Sequence, residues 1–216
     1  MMALLLIILL IIIIYLIIKL IIKISKIRFK DIEIKSERRI AGDLGEKKAA
    51  LIIERIIDED DKLLRNVTIR YEDKETELDN VIVSKRGVFI IEVKNYKGEL
   101  EGDEDSYEWD KYNYSKNGNI YLKKVKNPIK QIKRQIYILK SFLKYYGIDI
   151  WVDGYVYLLN FNSPVSNDYI LENIDEMDRV LHKKVDRYLK KDTVNRIIEL
   201  LQNWLTFIYP DKLYLW

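Results

Sequence analysis

The sequence predicts an α/β domain carried behind one long apolar helix, and three observations lead there. Runs rich in Val, Ile and Phe on either side of Ser84-Lys85-Arg86-Gly87 have the composition and turn residues of a β-hairpin. Helical spacing recurs elsewhere, most clearly after Asn127-Pro128, a start signal answered by the stop signal Gly147. The first 18 residues stand apart, being mostly Ile and Leu with no charged side chain.

Residues 1–24 read as a transmembrane anchor. A span of roughly 20 apolar residues crosses the hydrocarbon core as a helix, and Lys19 and Lys23 near its end can snorkel to the interface. A secretory signal would carry a basic start and a small-residue cleavage site, and neither is present. Lys19, Lys23, Lys26, Arg28 and Lys30 all lie on the C-terminal side, so the expected arrangement is a single-pass cell-membrane protein with its C-terminal domain in the cytoplasm. Residues 25–37 read as a basic juxtamembrane linker.

The remaining elements follow in order. A helix is expected from about Asp43 to Ile57, where Glu46, Ala50, Ile53 and Ile57 share a face. Gly42 and Gly45 would let its start approach other backbone closely. A strand near Asn66–Tyr71 precedes the hairpin. Residues 99–110 form an acidic stretch, and from Lys111 to Ile148 the sign reverses, with Lys and Arg but no acid. Within that block the helix after Pro128 presents Ile129, Ile132, Ile136, Leu139 and Leu143 on one face. Residues 151–161 read as a buried strand. Two helical stretches follow, near 175–190 and 193–208, the second capped by Asp192 or Thr193. The expected organisation is a central domain at 38–160 and a helical extension at 161–216 packed on it.

Composition excludes several classes of site. Without cysteine there is no disulfide framework and no thiolate metal site, and a single histidine, His182, excludes a His-rich zinc centre. Any metal must be held by oxygen, which points to Mg²⁺ or Mn²⁺. The pI near 8.7 is misleading about partners. The five basic residues of segment 1–30 account for it, because the rest carries 32 basic against 34 acidic side chains.

The chemistry concentrates in the hairpin. If Lys85 and Arg86 form the loop, Ser84 pairs with Gly87 and Asp79 falls opposite Glu92. Glu92 and Lys94 share a face, because side chains alternate along a strand. Two carboxylates about 5 Å apart repel unless a cation or a shared proton sits between them. A divalent ion on Asp79, Glu92 and the Val93 carbonyl, with Lys94 beside it, would suit phosphodiester hydrolysis. The plainer alternative is an exposed Glu92–Lys94 pair on an edge strand. Against it, apolar residues occupy both faces of the run Val88–Val93.

Gly42-x-x-Gly45-Glu46, Glu77-Leu78-Asp79-Asn80, Glu92-Val93-Lys94-Asn95-Tyr96-Lys97-Gly98, and Asn127-Pro128 ahead of Gln131 and Gln135 together resemble the nuclease-related domain, NERD, a divergent member of the PD-(D/E)xK nuclease superfamily. The resemblance covers about residues 38–160. It implies a restriction-endonuclease-like fold, a mixed central sheet flanked by helices, here preceded by the transmembrane helix. It implies metal-binding roles for Asp79 and Glu92, a water-activating and charge-stabilising role for Lys94, an accessory acidic role for Glu46, and active-site-facing positions for Gln131 and Gln135. The proline that often starts the motif is replaced by Leu78.

The expected function is a membrane-anchored, Mg²⁺- or Mn²⁺-dependent nuclease acting on DNA phosphodiesters. The alternative is a nuclease fold kept as a membrane-tethered binding or sensing module for nucleic acid or protein. Glu46 also suits the start of a helix dipole, and glutamines are ordinary on helix surfaces. Lys123, Lys124, Lys126, Lys130, Lys133 and Arg134 are candidate phosphate contacts, with tyrosines nearby for stacking. The same block equally suits a solvated face that neutralises the acidic stretch.

Overall fold

The computed structural model describes the backbone of residues 2–115 and 117–208, and the side chains of residues 13–21, 23–24, 39–115 and 117–203. The chain divides into two units, Met1–Leu44 and Gly45–Trp216. Helix α1, Met2–Ile56, supplies the first unit and runs on into the second. The stretch expected as a linker is therefore helical. Neither Gly nor Pro interrupts the chain before Gly42, and its Lys, Arg and Glu residues are good helix formers. Ile13, Ile14, Leu16, Ile17, Ile18 and Leu20 of this helix are exposed. Among the described residues no helix is long and apolar enough to cross a membrane. Half of the expected anchor, residues 1–12, lies outside the described side chains.

The second unit is built on a mixed five-stranded sheet. Strands β1 (Lys62–Tyr71), β2 (Lys74–Ser84) and β3 (Gly87–Lys94) form an antiparallel meander. Strand β7 (Val152–Leu158) then pairs parallel to β3, and β8 (Ile170–Leu171) parallel to β7, giving the order β1-β2-β3-β7-β8. Helices α2 (Pro128–Tyr145) and α4 (Lys191–Ile208) cover one face, where Ile132, Leu139 and Ile197 meet Val88 and Ile90. The end of α1 and helix α3 (Ile174–Leu181) cover the other, where Ala49, Ile53 and Met177 meet Phe89 and Ile91. Strand β3 is thus buried on both faces, which explains its unbroken apolar run.

Helix α2 is fixed at both its start and its middle. The Asn127 side chain accepts a hydrogen bond from the Ile129 N–H at 2.9 Å and donates to the carbonyls of Asp103, Glu104 and Ser106. At Gly154 on β7, a β-carbon would come within 3 Å of Ile132 and Ile136, so only glycine admits the helix this close to the sheet. That approach sets the height of α2 above Glu92.

Several local expectations need correction. The acidic stretch and the basic run are neither loop nor solvated face alone. They fold into a second, antiparallel sheet of β4 (Glu99–Glu101), β5 (Glu108–Tyr114) and β6 (Ile120–Lys126). Glu108 faces Lys126 and Asp110 faces Lys124 across this sheet, so opposite charges pair between strands. Helix α3 ends at Leu181 instead of near residue 190, and α4 begins at Lys191, with Asp192 inside its first turn instead of capping it. Gly42 has open space where a β-carbon would sit, whereas Gly45 packs against the side chains of Asn95 and Leu159, at 3.1 Å, instead of against backbone.

Candidate active site

The hairpin register is the expected one. Ser84 pairs with Gly87, and the β2–β3 ladder runs to Asn80 opposite Ile91. The next pair in that register is Asp79 with Glu92, but the ladder stops short of it. The β1–β2 ladder also skips this level: Arg65 pairs with Asn80 and Val67 with Leu78, while Asn66, which would face Asp79, turns left-handed at φ 51°. Leu78 and Val81, three residues apart, both enter the core beneath α2 and α4. Face alternation therefore slips at Asp79, and this carboxylate occupies a break in both ladders.

Asp79 uses that freedom to reach β3. Its Oδ2 accepts the Val93 N–H at 2.8 Å. Burial, then the neighbouring Glu92 carboxylate, push the Asp79 pKa up to about 7, against the opposing pull of the Val93 N–H and Lys94; Glu46 adds a smaller upward push. Glu46 thus lies within electrostatic reach of the pair, on α1 one residue after the close contact at Gly45.

Glu92 is 2% exposed and holds three donors. The Lys94 ammonium lies 2.5 Å from Oε1, a contact open to side chains two apart on one strand face. Gln131 Nε2 donates to the same oxygen at 2.6 Å, and Gln135 Nε2 donates to Oε2 at 2.6 Å. Gln135 also donates to the Glu77 carbonyl at 3.1 Å, which ties α2 to β2. One helical turn separates the two glutamines, so one strip of α2 addresses both carboxylate oxygens. Burial lowers the Lys94 pKa, but the Glu92 carboxylate and its other neighbours more than offset this, and the net shift is upward. The ammonium therefore keeps its proton at neutral pH.

The exposed edge-pair alternative does not describe this geometry, because Glu92 and Lys94 are both largely buried and the carboxylate is fully engaged. Whether the site suits a metal follows from its donors. Asp79 and Glu92 offer carboxylate oxygens, and the Glu92 charge raises the cost of ionising Asp79, a repulsion that a hard divalent ion would relieve. The Gln135 Oε1 atom is buried without a partner, a further neutral oxygen at the same place. Among the described residues no group of three or more Asp, Glu or His side chains is arranged to hold a metal. Two carboxylates are the number that an ion of the magnesium type asks of a protein, water completing its shell. The geometry does not make Glu46 a third ligand in this conformation.

Sequence reasoning missed Tyr96. It lies two residues beyond Lys94, is half-buried against the core, and has a pKa raised by burial; Lys111 Nζ stands 5.6 Å from its ring centroid. The same-face spacing from Lys94 is the signal that would have found it. The candidate phosphate contacts are mostly committed elsewhere. Lys124 pairs with Asp110 at 2.7 Å and Lys133 with Glu104 at 3.4 Å. Arg134 donates to the Glu75 carbonyl, and Lys130 stands over the Tyr107 ring. Lys126 faces Glu108, while Lys123 lies opposite Lys111.

Residues 41–159 match the family described as nuclease-related domain, an interval that contains Glu46, Asp79, Glu92, Lys94, Gln131 and Gln135. An uncharacterised protein of Bacillus anthracis is 32% identical over 69 residues, which is 32% of this chain and 32% of that protein, so the match spans about a third of the relative's length. No solved structure matches the chain.

Proposed function

The chain belongs to the nuclease-related domain family, and from that premise we propose that it is a metal-dependent nuclease that hydrolyses DNA phosphodiester bonds at a membrane surface. The observation that carries this reading is the convergence of Asp79, Glu92, Lys94, Gln131 and Gln135 on one buried carboxylate cluster. Asp79 and Glu92, with the Val93 carbonyl, would hold Mg²⁺ or Mn²⁺. When bound, the ion polarises a phosphate oxygen and lowers the pKa of its water.

The chain's own residues account for the rest of the proposed chemistry. Lys94 stays protonated and places a fixed positive charge where the pentavalent phosphate gains negative charge. Gln131 and Gln135 hold Glu92 in one rotamer, so the carboxylate needs no reorganisation during reaction. Asp79 must lose its proton before a cation can bind, and its pKa near 7 puts that step at neutral pH. Residues 1–24 are proposed as the anchor, in keeping with their unbroken apolar sequence and with the exposed Ile and Leu residues of the described part of α1. The basic residues that follow orient the domain toward the cytoplasm.

One observation favours the binding or sensing alternative. Both Glu92 oxygens already accept hydrogen bonds from Lys94, Gln131 and Gln135, which suits a carboxylate kept for structure. Titrating the full-length chain with Mn²⁺ in a calorimeter, then adding DNA and following hydrolysis, separates the two. A nuclease binds Mn²⁺ through Asp79 and releases cleaved DNA; a receptor retains intact DNA at every metal concentration.

A further inference from the structure

A cleft of about 910 Å³ opens at the far end of β3 from Glu92, beside Gly87. Its walls are the loop Gly147–Trp151, the irregular segment Lys183–Lys190 and the first turns of α4. The segment is pinned by the Leu189 N–H, which donates to the Lys85 carbonyl at 2.7 Å. Glu92 lies five residues along the strand, roughly 17 Å away at about 3.3 Å per residue. One nucleotide does not span that distance, so the cleft is separate from the carboxylate cluster.

Its lining combines uncommitted cations with presented aromatic rings. Lys184, Arg187 and Lys190 are exposed and make no ion pair or side-chain hydrogen bond among the described residues. Arg196 adds a fourth charge while donating to the Tyr146 carbonyl at 2.8 Å. Of the acids in the lining, Asp149 is faced by Lys144 at 3.6 Å, leaving Asp186 and Asp192 against the four. Tyr188 is 57% exposed and Trp151 is 66% exposed. Yet the Trp151 ring is held in place: its Nε1 donates to Asp153 Oδ1 at 2.6 Å, and Asp153 is itself fixed by Lys183 at 2.6 Å. An indole kept in solvent by a half-buried carboxylate is preorganised for stacking rather than for packing.

We propose that this cleft is a second ligand site, one that takes a phosphorylated nucleobase, either a free nucleotide or the end of a nucleic-acid strand. Lys140 Nζ stands 5.3 Å from the Trp151 ring centroid on one side, so the other indole face and Tyr188 take the base, and Arg187, Lys190, Lys184 and Arg196 meet the phosphates. A simple anion would leave the rings unused, and an apolar ligand would leave four charges unmatched. The site does not depend on cleavage at Glu92.

The test is calorimetry on the full-length chain without divalent ions, using ATP, a 5′-phosphorylated oligothymidylate and inorganic pyrophosphate as probes. ATP or the oligonucleotide binds with a Kd below about 1 mM. Arg187→Glu combined with Lys190→Glu weakens that binding at least about tenfold, and Trp151→Ala weakens it by about tenfold, as loss of a base stack does. Arg187→Lys with Lys190→Arg restores it. ATP alone binding identifies a free nucleotide; the oligonucleotide alone identifies a strand end. The proposal is overturned if neither probe binds, if binding survives the charge reversal in a folded variant, or if pyrophosphate matches ATP and Trp151→Ala has no effect.

Discussion

Asp79 and Glu92 form the first opposed pair of the β2–β3 hairpin that continues the register without joining the ladder. Asp79 instead takes the Val93 N–H, and Glu92 takes Lys94 and two glutamines. Burial first, and the nearby Glu92 charge second, raise the pKa of Asp79 despite the pull of the neighbouring Lys94 ammonium.

That shift makes stability depend on pH in a defined direction. The Asp79 pKa rises from 3.8 to about 7 on folding, so its contribution is fully present below pH 3.8 and is lost as pH rises through 7. Asp79→Asn removes the loss. With chelator present, the variant should match the parent near pH 4 and exceed it by about 2–4 kcal/mol at pH 8. Denaturant titrations at the two pH values check this, and a difference independent of pH contradicts it.

Glu92 and Lys94 should be strongly coupled. Glu92→Ala leaves a largely buried ammonium facing only Asp79, and is expected to destabilise the fold by about 3–5 kcal/mol. Adding Lys94→Ala to that variant should recover part of the loss. A double-mutant cycle measures the coupling directly, and additive effects would show that the pair is not a unit.

Gln135 should matter more than Gln131. Each donates to Glu92, but Gln135 also secures the Glu77 carbonyl and is 1% exposed. Gln135→Ala is expected to lower stability by about 1–3 kcal/mol, with a smaller effect from Gln131→Ala. Equal melting temperatures for the two variants would reject the ranking.

Asn66 should act on the site from the opposite strand. Its left-handed backbone lies where a partner for Asp79 would stand, a conformation open to Asn and Gly but poor for β-branched residues. Asn66→Gly should be tolerated, whereas Asn66→Val should cost about 1–2 kcal/mol and disturb the Asp79–Val93 bond. The exchange rate of the Val93 amide proton reports that bond, and equal protection in both variants would contradict the role.

The hairpin is legible in the sequence because a strand's period of two, once Gly87 sets the turn, fixes which residues oppose. Asp79, Glu92 and Lys94 need nothing more. Gln131 and Gln135 are legible as a strip of one helix but not as donors to Glu92, since their height above the sheet depends on Gly154, a contact distant in the chain. The break at Asp79 is not legible, because Asn66 looks like any other polar strand residue. Strands β4 to β6 escape notice for another reason. Their side chains alternate among charged residues and tyrosine, so no hydrophobic period marks them, and their pairing rests on charge and on the burial of Trp109. The cleft beside Gly87 is assembled from three separate loops and has no signature in any one of them.

Asp79, Glu92 and Lys94 are proposed to form a metal-dependent phosphodiesterase site. The most direct measurement is the rate at which the full-length chain cleaves DNA in Mn²⁺, compared with Lys94→Ala at a temperature where both remain folded. EDTA should abolish the cleavage, and Lys94→Ala should slow it by about a hundredfold or more, the usual consequence of losing one preorganised transition-state charge. Cleavage that persists in EDTA, or an unslowed Lys94→Ala variant, would contradict the proposal.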